Sequence, residues 1–205
     1  MHFAPSKIVC VGRNYAAHAR ELGNEVPKQP LLFLKPPSGL VRSGASIRLP
    51  TVSNHVEYEG EIGVVVGERL RKASQQRARE ALAYVCAVND VTARDLQKSD
   101  VQFTRAKGFD TFCPVGELGP VPEDLSALRV RTLVNGEVRQ DGVASDMVFD
   151  IPALVAYISG VMTLEPGDLV LTGTPEGVGT LSAGDVVEVE VVGVSRVSNP
   201  VTTEP

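Results

Sequence analysis

Glu57, Glu59 and Glu61 occupy alternate positions and run directly into the apolar stretch Ile62-Gly63-Val64-Val65-Val66-Gly67. Side chains two apart on a β-strand share a face, so this spacing gathers up to three carboxylates on one side of one strand. Like charges so placed repel each other. A divalent cation relieves that repulsion, and an all-oxygen donor set suits Mg²⁺, Mn²⁺ or Ca²⁺ better than zinc. The alternative is a solvated strand face. His18 and Glu21, three apart, would share a face of a short helix, which makes either a surface contact or an imidazole whose orientation a carboxylate fixes. Cys113 precedes a proline in a loop and is a conceivable nucleophile, but no histidine is near it in sequence and free cysteines mostly fill cores. His55 is read as a structural or supporting residue, not a metal ligand.

The elements that must position these groups are mostly short strands. Lys7 to Val11, Leu31 to Leu34, Val56 to Val66 and Tyr84 to Val88 read as strands. Asn14 is expected to cap a helix through about Leu22, and Ser74 another through about Ala83. Asn89 to Asp95 looks like a strand end leading into a turn or helix. Val130 to Val134 and Glu137 to Gln140 flank Asn135-Gly136, a pair that suits a type I′ hairpin turn. Asp150 can cap a helix with Pro152 in its first turn. Leu169 to Leu171 and Val186 to Val192 are further strands, the latter placing Glu188 and Glu190 opposite Val187, Val189 and Val191. Few helices and no βαβ rhythm point to a mainly β fold with short helices (α+β), a sandwich or barrel-like roll.

The 205 residues fit one large domain that could bury about 70% of its unfolded surface. With 43% hydrophobic and 22% charged residues, a net charge of −5 and no basic cluster, nucleic acid is not an expected partner. The three cysteines form no CxxC pair, so neither a disulfide framework nor a thiolate zinc site is indicated. No signal-peptide core and no transmembrane run is evident, and a cytoplasmic setting without a membrane partner is expected.

Six stretches in one order resemble the fumarylacetoacetate hydrolase family, in particular its short acylpyruvate hydrolase and 2-hydroxyhepta-2,4-diene-1,7-dioate isomerase-like members. They are Val9-Cys10-Val11-Gly12-Arg13-Asn14-Tyr15, Phe33-Leu34-Lys35-Pro36, Tyr58-Glu59-Gly60-Glu61-Ile62-Gly63, Asn89-Asp90-Val91-Thr92-Ala93-Arg94-Asp95, Asn135-Gly136-Glu137, and Leu171-Thr172-Gly173-Thr174-Pro175-Glu176-Gly177-Val178-Gly179. The resemblance implies a mixed β-sandwich roll in a single catalytic domain over 1–205, with N-terminal strands and a lid segment in 1–50 and the metal-binding roll in 51–205. It places the metal on Glu59, Glu61 and Asp90, leaving Glu57 outside the ligand set.

It also implies the chemistry. The family's substrates are 2-oxo acids or their enols, held through Mg²⁺ or Mn²⁺ so that an enolate forms beside the oxo group. His18 and Glu21 match a dyad on a mobile lid, and Lys107 matches an active-site lysine that would stabilise an oxyanion. Arg13, Arg94, Gln97 and Thr174 match less specific substrate or supporting positions, with the Gly173-Thr174-Pro175 loop offering a hydroxyl and N–H groups to a carboxylate. The expected reaction is hydrolysis of the C–C bond of an acylpyruvate. The alternatives are isomerisation or decarboxylation of a 2-hydroxydienedioate or of oxaloacetate, and, outside enzymes, a metal-stabilised binding protein. A homodimer is expected from the family.

Overall fold

The structure, a computed structural model, describes residues 4–21 and 23–204. In chain order it begins with β1 (Ile8–Gly12), α1 (Ala16–Glu21), β2 (Leu31–Lys35), β3 (Leu40–Val41) and β4 (Ile47–Leu49). Next come β5 (Val56–Tyr58), β6 (Gly60–Val66), α2 (Gln75–Glu80), β7 (Leu82–Asn89) and β8 (Thr92–Ala93). They are followed by α3 (Arg94–Ser99), α4 (Thr104–Lys107), β9 (Cys113–Pro114), β10 (Arg129–Val134) and β11 (Glu137–Val143). The last elements are α5 (Ile151–Val161), β12 (Leu169–Leu171), β13 (Gly179–Thr180), β14 (Val186–Val191) and β15 (Ser195–Thr203).

Two five-stranded sheets face each other. One has the order β2-β1-β12-β6-β7, with β1 and β12 parallel and the other neighbours antiparallel; the second has the order β11-β10-β14-β15-β4. Strand alternation divides the apolar residues of the first sheet between two cores. Val9, Val11, Ile62 and Val64 point inward to meet Val130, Val189 and Val191 of the second sheet and Leu154, Val155 and Ile158 of α5. Ile8, Cys10, Val65, Cys86 and Leu171 fill the opposite face. With both faces covered, every residue of β6 is buried. The fold is mainly β with short helices, the expected mixed sandwich roll.

Local signals formed the local structure they predict. Asn135 and Gly136 both have positive φ (53° and 83°), as a type I′ turn requires. Ser74 Oγ accepts from Arg77 N–H to cap α2, and Asp150 Oδ1 accepts from Ala153 N–H to cap α5. Asn14 does not act as a cap. Its side chain donates to the carbonyls of Phe149 and Thr172 and accepts from Phe149 N–H. A fully buried amide is better satisfied there than at a helix start, and Tyr15 instead bridges to Met147. The expected helix end at Leu22 lies outside the described residues.

The acidic segment departs from the expected single strand. Val56 to Val66 is broken at Glu59, where the chain leaves a small sheet of order β13-β5-β8 and enters the first five-stranded sheet. At the break, Glu59 N–H donates to Asn89 Oδ1 (3.0 Å) and Glu59 carbonyl accepts from Asp90 N–H (2.8 Å). Glu57 therefore belongs to a different sheet from Glu61, and the simple alternation of the three carboxylates fails. Gly60, next to the break, is compelled by space: a Cβ there would stand 1.9 Å from Thr132 Oγ1.

Candidate metal and proton-transfer site

Where β7 ends, Asp90 emerges beside Glu59, so two carboxylates from different strand ends converge on Glu61 of β6. Among the described residues, Glu59, Glu61 and Asp90 each offer an oxygen within 4.8 Å of the others. Glu57 turns away, to Arg94 (2.7 Å) and to His55 Nε2 (2.8 Å). His55 is thus a supporting contact to a carboxylate outside the triad.

Cations converge on the same point from three further elements. Lys107, at the end of α4, donates to Glu59 Oε2 and Asp90 Oδ2, both at 2.7 Å. Arg94, opening α3, reaches Glu59 Oε1 at 2.5 Å and is itself oriented by Gln97 Oε1 at 2.5 Å. Lys35, at the end of β2, donates to Asp90 Oδ1 at 2.6 Å and to the carbonyl of Val91. Lys107 is 2% exposed, so its charge is directed into the site and not into solvent.

Burial opposes ionisation of Glu59, yet Lys107 and Arg94, and then His18, hold its carboxyl well below the usual range. Lys107 is likewise kept charged: burial would lower its pKa, but Asp90 and Glu59 raise it. Glu61 differs from both. Its partner is the N–H of Gly173 at 2.7 Å, and among the described residues no cation lies within ion-pair distance. Burial first, then Asp90 and Glu59, push its carboxyl well above the ordinary range. Four buried carboxylates (57, 59, 61 and 90) thus face three cations (35, 94 and 107). The shortfall sits at the triad, where an added cation would stabilise ionised Glu61. Hard oxygen donors and an uncompensated charge fit a divalent metal ion.

A cavity of about 410 Å³ opens over the triad. Its wall includes Arg13, His18, Glu21, Arg94, Gln97, Lys107 and Thr174, so all the candidate residues meet in one place. His18 is buried, with Nδ1 3.1 Å from Glu21 Oε2; Glu21 Oε1 in turn accepts from Gly177 N–H at 3.0 Å. This fixes the ring so that Nε2 is the nitrogen left for a reactant. Gly177 has φ +95°, and a Cβ there would meet Arg139 carbonyl at 2.2 Å, so the docking amide requires glycine. Arg13, which joins β1 to α1, also has positive φ (59°), a backbone state uncommon for a residue with a side chain.

Lys35 is a site residue that its local sequence does not mark, since a lysine at the end of a strand is ordinarily exposed. Lys98 and Asn24 on the cavity wall were also missed, having no distinctive local pattern. The N–H of Gly173 meets a protein carboxylate, not one of a ligand. Cys113 is no nucleophile: it is fully buried and burial pushes its thiol up to about 12.

A mainly β roll in which a buried carboxylate triad is backed by lysine and arginine side chains defines a class of protein whose site could hold a metal ion through oxygen ligands. The fumarylacetoacetate (FAA) hydrolase C-terminal family model matches residues 7–202, and the chain belongs to this family. It is 43% identical over 198 residues to an oxaloacetate tautomerase FAHD1, mitochondrial, of Arabidopsis thaliana, covering 94% of this chain and 89% of that protein. It is 41% identical to an oxaloacetate decarboxylase, mitochondrial, of Dictyostelium discoideum, covering 91% and 89%. Among solved structures, a 5-carboxymethyl-2-hydroxymuconate delta-isomerase from Mycobacterium smegmatis superposes with a TM-score of 0.91 at 44% identity, covering 99% of this chain and 81% of that one. Among the described residues, no helix is long and apolar enough to cross a membrane.

Proposed function

We propose that the chain is a divalent-metal-dependent enzyme that moves a proton next to the oxo group of a 2-oxo acid, with a 2-oxo dicarboxylate such as oxaloacetate as substrate. The observation that carries this reading is the meeting of the Glu59–Glu61–Asp90 triad and the His18–Glu21 pair on one cavity. Glu59, Glu61 and Asp90 would hold Mg²⁺ or Mn²⁺, which when bound supplies Lewis-acid polarisation of the oxo group, worth several kcal/mol. His18 takes or returns the proton on the neighbouring carbon through Nε2, and Glu21 stabilises the imidazolium. A positioned general base of this kind contributes about 10²–10⁴ in rate. Lys107 and Arg94 keep Glu59 ionised and add positive potential beside the developing oxyanion. Arg13 and Lys98 on the wall supply positive charge for a second carboxylate. The relatives named for oxaloacetate and for a hydroxymuconate support this reading, because proton movement at an enol or enolate is common to those activities.

Hydrolysis of an acylpyruvate is the second reading. The His18–Glu21 pair favours it, since the same oriented imidazole can take a proton from water as the water oxygen attacks a distal carbonyl, whose C–C bond then breaks to leave a carboxylic acid and an enolate.

The deciding experiment follows the loss of oxaloacetate enol absorbance and the exchange of C3 protons in deuterated solvent, with Mg²⁺ and with chelator, alongside cleavage of acetylpyruvate. Metal-dependent acceleration of the enol–keto step without acetylpyruvate cleavage supports the first reading. Acetylpyruvate cleavage at a rate exceeding oxaloacetate tautomerisation would replace it with the hydrolase.

A further inference from the structure

Gln140 lies outside the cavity, on the opposite sheet, and belongs to no motif of the site. It is 1% exposed and its amide is fully engaged. Oε1 accepts from Gly60 N–H at 2.9 Å; Nε2 donates to Thr174 Oγ1 and to the carbonyl of Pro175, both at 2.8 Å. Thr174 Oγ1 then donates to the carbonyl of Gly60 at 2.9 Å, which closes a ring. The partners fix the orientation of the amide, because Pro175 carbonyl can only accept and Gly60 N–H can only donate.

A bulge aims the side chain. In the β10–β11 ladder Thr132 faces Gln140 while Leu133 faces Val138, so Arg139 is an extra residue and the register shifts there. Up to and including the bulged Arg139, β11 is exposed at three successive positions; after it Gln140 and Gly142 turn inward. Bulges re-aim side chains in this way beside functional sites. The carbonyl of Arg139 is also the atom against which Gly177 rests.

We infer that Gln140 is a positioning residue for the metal ligands and for Thr174. Gly60 separates Glu59 from Glu61, so anchoring its N–H and carbonyl sets the pitch between the two carboxylates. The Thr174–Pro175 loop anchored by the same amide carries Gly173, whose N–H holds Glu61. The ring has a second consequence. The single proton of the Thr174 hydroxyl is committed to Gly60 carbonyl, so towards the cavity this hydroxyl acts only as an acceptor. The hydroxyl therefore recognises a donor, such as the O–H of an enol or a water, and a substrate carboxylate at this loop is left to backbone N–H groups.

The inference rests on the metal reading proposed above. Its test is the affinity of purified protein for Mn²⁺, by calorimetry and by the Mn²⁺ paramagnetic resonance signal, for wild type, Gln140→Met and Asn199→Leu. Asn199 is a matched control: it is 1% exposed, and its amide holds the carbonyls of Arg42 and Ala45 away from the site. Loss of an outer partner of a metal ligand typically costs about 10–100-fold in affinity. Gln140→Met is expected to weaken Mn²⁺ binding by about tenfold or more on that scale, and at saturating Mn²⁺ to raise KM for oxaloacetate. Asn199→Leu is expected to lower Tm only. Should Gln140→Met not fold, Thr174→Val opens the ring from the other side and is expected to weaken Mn²⁺ in the same direction. Unchanged Mn²⁺ affinity in the folded variant, or equal losses in the Asn199 control, overturns the inference. Absence of Mn²⁺ binding by the wild type overturns the metal reading itself and the inference with it.

Discussion

Lys35 Nζ and Asp90 Oδ1 stand 2.6 Å apart with essentially no exposure of either side chain, the lysine 0% and the aspartate 1%. The pair joins the end of β2 to a candidate metal ligand 55 residues away. Asp90 therefore contributes to the triad with both oxygens ion-paired, Oδ1 to Lys35 and Oδ2 to Lys107. An ion pair so deeply desolvated is costly to break, because the surviving charge has no water to return to.

Lys35→Met is expected to lower stability by about 3–5 kcal/mol, the range for removing one partner of a buried pair. Urea unfolding of metal-free protein measures it. Added Mn²⁺ should restore part of the loss by replacing the missing positive charge. A cost below about 1 kcal/mol, the scale of an exposed pair, would contradict the buried geometry.

Glu59→Ala, Glu61→Ala and Asp90→Ala should each abolish turnover and severely weaken Mn²⁺ binding. Glu57→Gln should change Mn²⁺ affinity by less than about tenfold, below the lower end of the outer-partner range, because Glu57 acts only through Arg94. Calorimetric titration ranks the four. A ranking in which Glu57 outweighs Glu59 would reassign the ligand set.

The raised carboxyl of Glu61 gives metal-free stability a definite pH dependence. Burial, then Asp90 and Glu59, make folded Glu61 hold a proton that the unfolded chain releases near its ordinary pKa of about 4.3. That contribution is present below the ordinary value and is lost as pH rises through the raised one. Metal-free protein should thus lose this share of its stability with increasing pH across that window, and Glu61→Gln should flatten the slope. Mn²⁺ binding below the raised value should release a proton, seen as a dependence of the calorimetric heat on buffer ionisation enthalpy. A heat independent of buffer would contradict a protonated Glu61.

The contact between Glu21 Oε1 and Gly177 N–H is expected to latch α1 over the cavity. A site that excludes water must still open to admit substrate. Hydrogen exchange across residues 13–21 and at the Gly177 amide should slow when Mg²⁺ and oxalate are added, and Glu21→Ala should remove the slowing at Gly177. Exchange unaffected by oxalate would argue for a rigid segment.

The sequence by itself determined the features that depend on neighbouring residues. The Asn135-Gly136 turn, the Ser74 and Asp150 caps and the inward valines of β14 follow from local backbone preference and alternation. The family resemblance also pointed to Glu59, Glu61, Asp90 and Lys107, which the fold brings together. Tertiary structure alone decided how those charges are balanced. The break at Glu59 exists because β5 and β6 pair with different sheets, and no local pattern announces a change of sheet. Lys35 meets Asp90, Gly173 meets Glu61 across 112 residues, and Gln140 meets Gly60 across 80. Each is a polar group whose partner is chosen when water is removed from it, and desolvation is a property of the assembled core, not of the segment in which the residue is written.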